Sequence, residues 1–151
     1  MLSEPGGEGW RSIERRYHWA RKIIYRQTRR PSKGRAVEPL KDASHLYAVE
    51  RRAYHAERPG FRISEIQISP TQQVPWHYHT NVQDTFYVIE GMLRLFLRDP
   101  KEQVRLGPGE TYSVPPRRPH LVTNGGSTSA TFLVLQGIGE YDFVPLGQKV
   151  E

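Results

Sequence analysis

Three histidines and one aspartate lie in two short segments of the chain, and their types and spacing suit a metal site. His77 and His79 are separated by one residue, Asp84 follows them, and His120 comes after a proline-rich turn. Side chains two positions apart in a β-strand point to the same face, so His77 and His79 can aim at one point. Three imidazoles with a carboxylate suit a divalent transition metal. The pattern predicts a site for one such ion, with iron, manganese, nickel, zinc and copper all open.

The composition limits the kinds of site that the chain can build. Its 151 residues suit one domain with a single buried core. The absence of cysteine excludes disulfides and thiolate ligands, which leaves nitrogen and oxygen as metal donors. No apolar run approaches the roughly 18 residues of a membrane span, and no basic-then-apolar leader opens the chain. We therefore expect a cytoplasmic protein without a membrane span.

Positive charge is concentrated in the first part of the chain. Residues 11–35 contain ten Lys and Arg against one Glu, whereas residues 61–151 contain 8 basic against 9 acidic residues. Apolar spacings of four, three and four predict a helix over 10–27, after a tail at 1–9 and before a linker at 28–43. We interpret the basic face as the solvated side of a helix packed on the main domain. The alternatives are nucleic acid, an anionic membrane surface or a partner groove; nucleic acid is disfavoured because no aromatic-basic platform is present.

Short strands separated by glycine and proline turns predict that residues 44–151 form an all-β barrel or sandwich. The segment 44–55 fits either a short helix or a strand, and we favour a strand. Within 61–69 the apolar phase slips between Ile63 and Ile66, as a β-bulge would cause. The remaining predicted strands are 85–89, 92–97, 103–106, 111–114, 120–123 and 128–136.

In two motifs the chain resembles the cupin family. One cupin motif reads Gly-x5-His-x-His-x4-Glu-x6-Gly; both internal spacings are kept here, while Thr71 replaces the first Gly and Asp84 the Glu. The second motif reads Gly-x5-Pro-x-Gly-x2-His-x3-Asn, and Arg117 replaces its middle Gly. The matching positions are His77, His79, Gly91, Gly109, Pro115, His120 and Asn124.

This resemblance covers residues 61–137 and implies a small double-stranded β-helix, or jelly roll, with one metal ion in the barrel. It assigns the ion to three histidines and an acidic residue, here His77, His79, His120 and Asp84. Aspartate is one methylene shorter than glutamate. Asp84 therefore either ligates after a small backbone shift, or serves as a hydrogen-bond acceptor for a ligand or as a general base. The resemblance also implies a homodimer.

Several aromatic and polar residues near the motifs are candidates for contacts with a substrate. Gln73 has the strand parity of His77 and can face a pocket, although a surface position at the strand edge is an equal alternative. Phe86, Tyr112 and Trp76 can line the pocket, but the ordinary role of such residues is core packing.

Charged residues and histidines outside the two motifs are weaker candidates for contacts with a metal or a substrate. Arg94 lies in the middle of a predicted strand, where it either binds an anionic substrate through a bidentate contact or points into solvent; we favour solvent. His18, His45 and His55 are expected at the surface, and Glu90 in its turn is expected to face solvent.

The function implied by the resemblance is that of a mononuclear metal-dependent cupin enzyme acting on a small organic molecule. A dioxygenase is the preferred subclass, since the family includes many such enzymes, and isomerase or lyase chemistry is an alternative. Another alternative is a non-catalytic cupin that binds a small ligand or acts as a sensor, and a third is a partner-binding protein with a filled barrel. The size of the pocket distinguishes the enzyme from the non-catalytic alternatives, because pockets for small molecules usually exceed roughly 300 Å³.

Overall fold

Ten β-strands in two antiparallel five-stranded sheets form the computed structural model, which describes residues 38–147. The predicted tail at 1–9 and helix over 10–27 lie outside the described residues. The strands are β1 Arg51–Arg58, β2 Phe61–Ile68, β3 Gln73–Tyr78, β4 Gln83–Glu90, β5 Leu93–Leu97, β6 Glu102–Leu106, β7 Thr111–Val114, β8 His120–Asn124, β9 Ala130–Gly137 and β10 Val144–Pro145. Ser44–Leu46 form one turn of 3₁₀ helix before β1.

The two sheets share one apolar core. One sheet has the strand order β1-β2-β9-β4-β7 and the other has the order β10-β3-β8-β5-β6. Ile68 and Phe132 from the first sheet join Leu95 and Val122 from the second in a single buried cluster. Most neighbouring strands are distant in sequence, as in a double-stranded β-helix. The predicted all-β jelly-roll fold is therefore confirmed.

Side-chain alternation explains how the strands place polar groups inside the barrel. In β5 the residues Leu93, Leu95 and Leu97 are buried, whereas the residues between them are half-buried. The same period of two buries His120 together with Val122 in β8. A histidine with the inward parity of core valines is thus carried into the interior by the strand itself.

Two local predictions need correction. The segment 44–55 is not one strand, because the 3₁₀ turn precedes β1 and that strand begins at Arg51. The phase slip in β2 is not a bulge: β2 pairs with β9 in one unbroken register, and the irregularity lies in β1, between Tyr54 and Ala56. Alternation in β2 is regular, but its inward positions at one end of the barrel are Arg62 and Ser64 instead of apolar residues.

The residues before β1 pair with those before β10, and both segments pack against the core. Leu40 and Phe143 form an antiparallel bridge, with N–H···O distances of 2.8 and 2.7 Å. Ala43 is buried in the core, and β10 pairs with β3 next to His77. Part of the segment expected to be a linker therefore packs on the barrel. Within residues 38–147, no helix is long and apolar enough to cross a membrane.

Gly91 has a structural role that its place in the first motif did not reveal. It turns the chain from β4 to β5 with a φ of +79°, which side chains with a Cβ rarely adopt. A Cβ at this position would lie 2.5 Å from the carbonyl oxygen of Ser129 and 2.8 Å from the Cα of Ala130. The turn therefore needs glycine both for its conformation and for the close approach of the chain before β9.

Candidate metal centre

The two sheets bring the three histidines and the aspartate of the motifs together in the barrel interior. His77 on β3 pairs directly with His120 on β8, His79 follows the end of β3, and Asp84 lies on β4 of the other sheet. All four side chains are at least 97% buried. One potential ligand atom from each residue lies within 4.8 Å of the others.

Backbone carbonyls fix the orientation of all three imidazoles. Nδ1 of His77 donates to the carbonyl oxygen of Pro75 at 2.7 Å, and Nδ1 of His120 donates to that of Arg118 at 2.9 Å. Nδ1 of His79 donates to the carbonyl oxygen of Asp142. Because a carbonyl only accepts, the hydrogen is on Nδ1 in each ring, and Nε2 is the atom available to a metal.

Nε2 of two histidines lies beside the carboxylate of Asp84. Oδ2 of Asp84 is 3.0 Å from Nε2 of His79 and 3.2 Å from Nε2 of His120. The other oxygen, Oδ1, accepts a hydrogen bond of 2.8 Å from Nε2 of Gln136. The carboxylate is therefore held on one oxygen by an amide, and its second oxygen faces the imidazoles.

A second layer of contacts holds Gln136. Nε and Nη2 of Arg62 donate to Oε1 of Gln136 at 2.9 and 2.7 Å. The guanidinium also lies over the ring of Tyr141, 3.7 Å from its centroid. Arg62, Gln136 and Asp84 thus form one chain of contacts from the wall of the barrel to the centre of the cluster.

The charges in the cluster are coupled. Burial, and then repulsion from His120 and His79, keeps the pKa of His77 well below the usual histidine value. For Asp84, burial favours the neutral acid, but His79 and His120 outweigh it and hold the pKa of the carboxyl well below its usual range. Burial also opposes charge on His79, yet the charge of Asp84 and its hydrogen bond raise the pKa of His79 above its ordinary value. In metal-free protein, both shifts favour an imidazolium–carboxylate pair between His79 and Asp84.

A cavity of about 40 Å³ lies against the cluster and is lined by His77, His79 and Asp84. One water molecule needs about 10–15 Å³ of such volume, so the cavity has room for about three water molecules. The remaining polar wall comes from Asp42, Ser44, Tyr47, Arg52, Tyr54, Arg62, Ser64, Gln136 and Tyr141. The cavity is far smaller than a typical pocket for a drug-sized molecule. The space beside the cluster therefore admits only a very small molecule or part of one.

The aromatic and glutamine candidates occupy different places. Phe86 lines the cavity and is buried, with its ring centroid 6.1 Å from that of His120. Gln73 is exposed and does not line the cavity, because a register shift between Val74 and His77 changes its parity relative to His77. Of these residues, the structure brings only Phe86 to the cavity.

Three other candidates lie away from the cavity. The hydroxyl of Tyr112 donates to Oε2 of Glu102 at 3.1 Å. Trp76 lies under the guanidinium of Arg98, 4.0 Å from its ring centroid. Arg94 alternates with the buried leucines of β5 and therefore points outward.

The histidines outside the motifs are separate from the cluster where the structure describes them. His45 is exposed, and Nε2 of the exposed His55 lies 2.7 Å from a carboxylate oxygen of Glu65. His18 lies outside the described residues, and Glu90 is exposed at the end of β4.

Gln136 and the two arginines of the cavity were not among the sequence candidates. Gln136 has the inward parity of Phe132 and Val134 on β9, and Arg62 has that of Ser64 on β2. The available signal was therefore a polar residue at an inward position of a strand. In 61–69 this signal was interpreted as a bulge instead.

Comparisons with known proteins agree with the fold and with the family that the sequence resembles. The cupin domain model matches residues 64–142, which is more than half of the chain, so the protein belongs to the cupin family. No curated protein matches the chain.

Solved structures share the fold at low sequence identity. An uncharacterized conserved protein with a double-stranded β-helix domain from Klebsiella pneumoniae is 23% identical, with a TM-score of 0.57, over 79% of this chain and 90% of that one. Oxalate decarboxylase from Lactobacillus farciminis is 14% identical, with a TM-score of 0.58, over 73% of this chain and 33% of that one. KdgF from Halomonas sp. is 18% identical, with a TM-score of 0.53, over 61% of this chain and 86% of that one.

Proposed function

We propose that this cupin holds one divalent transition metal between Nε2 of His77, His79 and His120 and Oδ2 of Asp84. The donor set of three imidazoles and a carboxylate fits such an ion. Two adjacent ligands with bonds of about 2.1 Å at right angles are separated by about 3 Å. The distances of 3.0 and 3.2 Å from Oδ2 of Asp84 to two imidazole nitrogens agree with that separation. Hydrogen bonds between the carboxylate and the rings have the same lengths, so the support for Asp84 as a ligand is its position among the imidazoles, with all four donor atoms within 4.8 Å of one another.

We further propose that the site is that of an enzyme acting on a small organic molecule. The observation that carries this proposal is the buried donor set with a cavity beside it, lined by His77, His79 and Asp84. At about 40 Å³ the cavity is below the roughly 300 Å³ of ordinary small-molecule pockets, so the substrate would be a very small molecule or one end of a larger one. A divalent ion there would act as a Lewis acid on a bound oxygen atom, and iron would also permit reaction with O₂. A dioxygenase remains the preferred subclass by resemblance, with isomerase or lyase chemistry and non-catalytic ligand binding as the alternatives.

The residues of the chain have defined tasks in this proposal. Pro75, Arg118 and Asp142 orient the imidazoles through their carbonyls. Gln136 holds the carboxylate of Asp84. The buried ring of Phe86 excludes water from one side of the site.

The experiment is to load metal-free protein separately with Fe(II), Mn(II), Ni(II), Zn(II) and Cu(II) and to incubate each form with small hydroxy acids, keto acids and β-dicarbonyls. Oxygen consumption and product analysis then separate a dioxygenase from an isomerase or lyase. Turnover that disappears in His120→Ala supports the enzyme. Saturable ligand binding with no turnover by any metal form supports the binding module and contradicts the enzyme.

A homodimer is also proposed. Tyr87 and Ile89 are 43% and 44% exposed on the outer face of β4, next to the edge strand β7. A second copy would cover these residues and the open edge. Light scattering coupled to size exclusion tests this: Tyr87→Glu should shift a dimer towards the monomer, and a monomeric parent protein contradicts the proposal. The cytoplasmic location stays a prediction from the sequence.

A further inference from the structure

We infer that Arg52 and Arg62 form an anion-binding subsite in the cavity beside the proposed metal ligands, which selects substrates carrying a carboxylate group. This inference rests on the proposed function, because it assigns a substrate class to the same cavity. Both arginines line the cavity, together with His77, His79 and Asp84.

The first observation concerns Arg52, which has a buried donor without a partner. Nη2 of Arg52 is shielded from solvent and makes no hydrogen bond to any of residues 38–147. Among the same residues, no carboxylate lies within 4.0 Å of its guanidinium, which instead lies over the ring of Tyr47 at 4.9 Å from the centroid. A buried N–H group without an acceptor is costly. A ligand oxygen in the cavity would remove that cost.

The second observation concerns Arg62, whose guanidinium is held in a fixed orientation. Two of its N–H groups donate to Gln136, and Tyr141 stacks against its plane. Within the described residues, Arg62 has no carboxylate within 4.0 Å either. The contacts to neutral groups therefore position a full positive charge at the cavity wall without neutralising it.

The charges that line the cavity favour an anion once a metal is present. The acidic lining residues are Asp42 and Asp84, and the basic ones are Arg52 and Arg62. Asp42 is exposed and accepts a hydrogen bond from the N–H of Ser44, while Asp84 is engaged by imidazoles and by Gln136. Two lining acids balance two lining arginines, so a divalent ion leaves a net positive charge in a space with little water.

The size of the cavity and the planar donor geometry of arginine favour a small planar anion. The cavity of about 40 Å³ holds only a few atoms beside the cluster. Arginine presents paired N–H donors that match the two oxygens of a carboxylate. A short carboxylic acid could therefore place one end on the arginines and a neighbouring oxygen towards the proposed metal ligands.

The test compares glycolate with its neutral analogue glycolamide by calorimetric titration of zinc-loaded protein at low ionic strength. We expect glycolate to bind at least about tenfold more tightly than glycolamide. Arg52→Gln should reduce glycolate affinity by about tenfold or more, with little change for glycolamide, and Arg52→Lys should recover part of the loss. The matched control is Arg105→Gln, which removes an equal charge from an exposed position on β6 and should have little effect.

Equal binding of glycolate and glycolamide overturns the inference, as does glycolate binding that Arg52→Gln leaves unchanged or that Arg105→Gln weakens equally. Zinc content is measured on every sample by elemental analysis. If the parent protein holds no metal, the proposed function fails, and the same titrations on metal-free protein still decide the subsite. In metal-free protein, a preference for glycolate that depends on Arg52 supports the anion-binding subsite. The lack of such a preference overturns the subsite.

Discussion

The side chain of Gln136 links Arg62 to Asp84 and fixes which oxygen of that carboxylate faces the histidines. Arg62 can only donate, so the amide oxygen of Gln136 must face it and the amide nitrogen must face Asp84. The resulting hydrogen bond to Oδ1 of Asp84 is 2.8 Å long. Oδ2 is left beside Nε2 of His79 and His120, in the position that a metal ligand would need.

Replacing Gln136 should therefore weaken a metal site that it does not ligate. Gln136→Leu leaves Oδ1 of Asp84 and the guanidinium of Arg62 without their partner. We expect about 10–100-fold weaker metal retention in chelator competition and a loss of about 1–3 kcal/mol in the free energy of unfolding. Gln103→Leu, at an exposed position on β6, is the control and should change neither. Metal retention equal to that of the parent protein would contradict the role of Gln136.

Metal binding should release a proton from His79. Asp84 raises the pKa of His79, so Nε2 of His79 keeps its proton to a higher pH than an ordinary histidine does, whereas the lowered pKa of His77 favours its neutral ring. A metal must displace the proton from Nε2 of His79. Calorimetric titrations in buffers of different ionisation enthalpy should show proton release below the pKa of His79 and progressively less release as the pH rises past that pKa.

Asp84→Asn is the matched variant for this titration, because it removes the charge that raises the pKa of His79. At a pH where the parent protein releases a proton, its proton release should fall, together with its metal affinity. A binding enthalpy that does not depend on the buffer in the parent protein would contradict the imidazolium–carboxylate pair.

Two glycines with the same backbone conformation should tolerate alanine differently. Gly91 and Gly109 have φ angles of +79° and +80°, so each Gly→Ala change costs about 1–2 kcal/mol for the left-handed conformation. At Gly109 a Cβ would meet nothing within 4 Å, whereas at Gly91 it would lie 2.5 Å from the carbonyl oxygen of Ser129. Urea unfolding should show a clearly larger loss for Gly91→Ala. Equal losses would mean that the turn before β5 relaxes freely.

Alkaline pH should destabilise the fold through Tyr141. Burial raises the pKa of Tyr141 to about 12, despite the opposing charge of Arg62. The unfolded chain ionises near 10, so the contribution of this phenol is complete below pH 10 and is lost as the pH rises towards 12. The loss amounts to about 2–3 kcal/mol. Tyr141→Phe should flatten this part of the stability curve, and identical slopes for both proteins would contradict the assignment.

The sequence predicted the barrel and the identity of the cluster because both depend on local patterns. Short strands with a period of two, separated by glycine and proline, are sufficient to indicate an all-β fold. The pair His77 and His79 lies on one strand end, and His120 has the parity of Val122, so each could be oriented from its own neighbours. Their meeting across β3 and β8 followed from the resemblance.

The sequence could not predict contacts that depend on register between distant strands. Arg62 and Gln136 are 74 residues apart and meet because β2 and β9 pair. Gln73 has the strand parity of His77 in the sequence, which left a pocket-facing and a surface position equally open, and an irregularity in the pairing of β3 with β8 reverses that parity. A polar residue at an inward position can mark either a bulge or a site, and only the paired neighbour distinguishes the two.

Elemental analysis of protein purified without added metal tests the central claim most directly. The variants His77→Ala and His120→Ala should lose the divalent transition metal that the parent protein carries. His55→Ala, which removes an exposed imidazole outside the cluster, should retain it. Equal trace metal in the parent protein and in all three variants would contradict the proposed site.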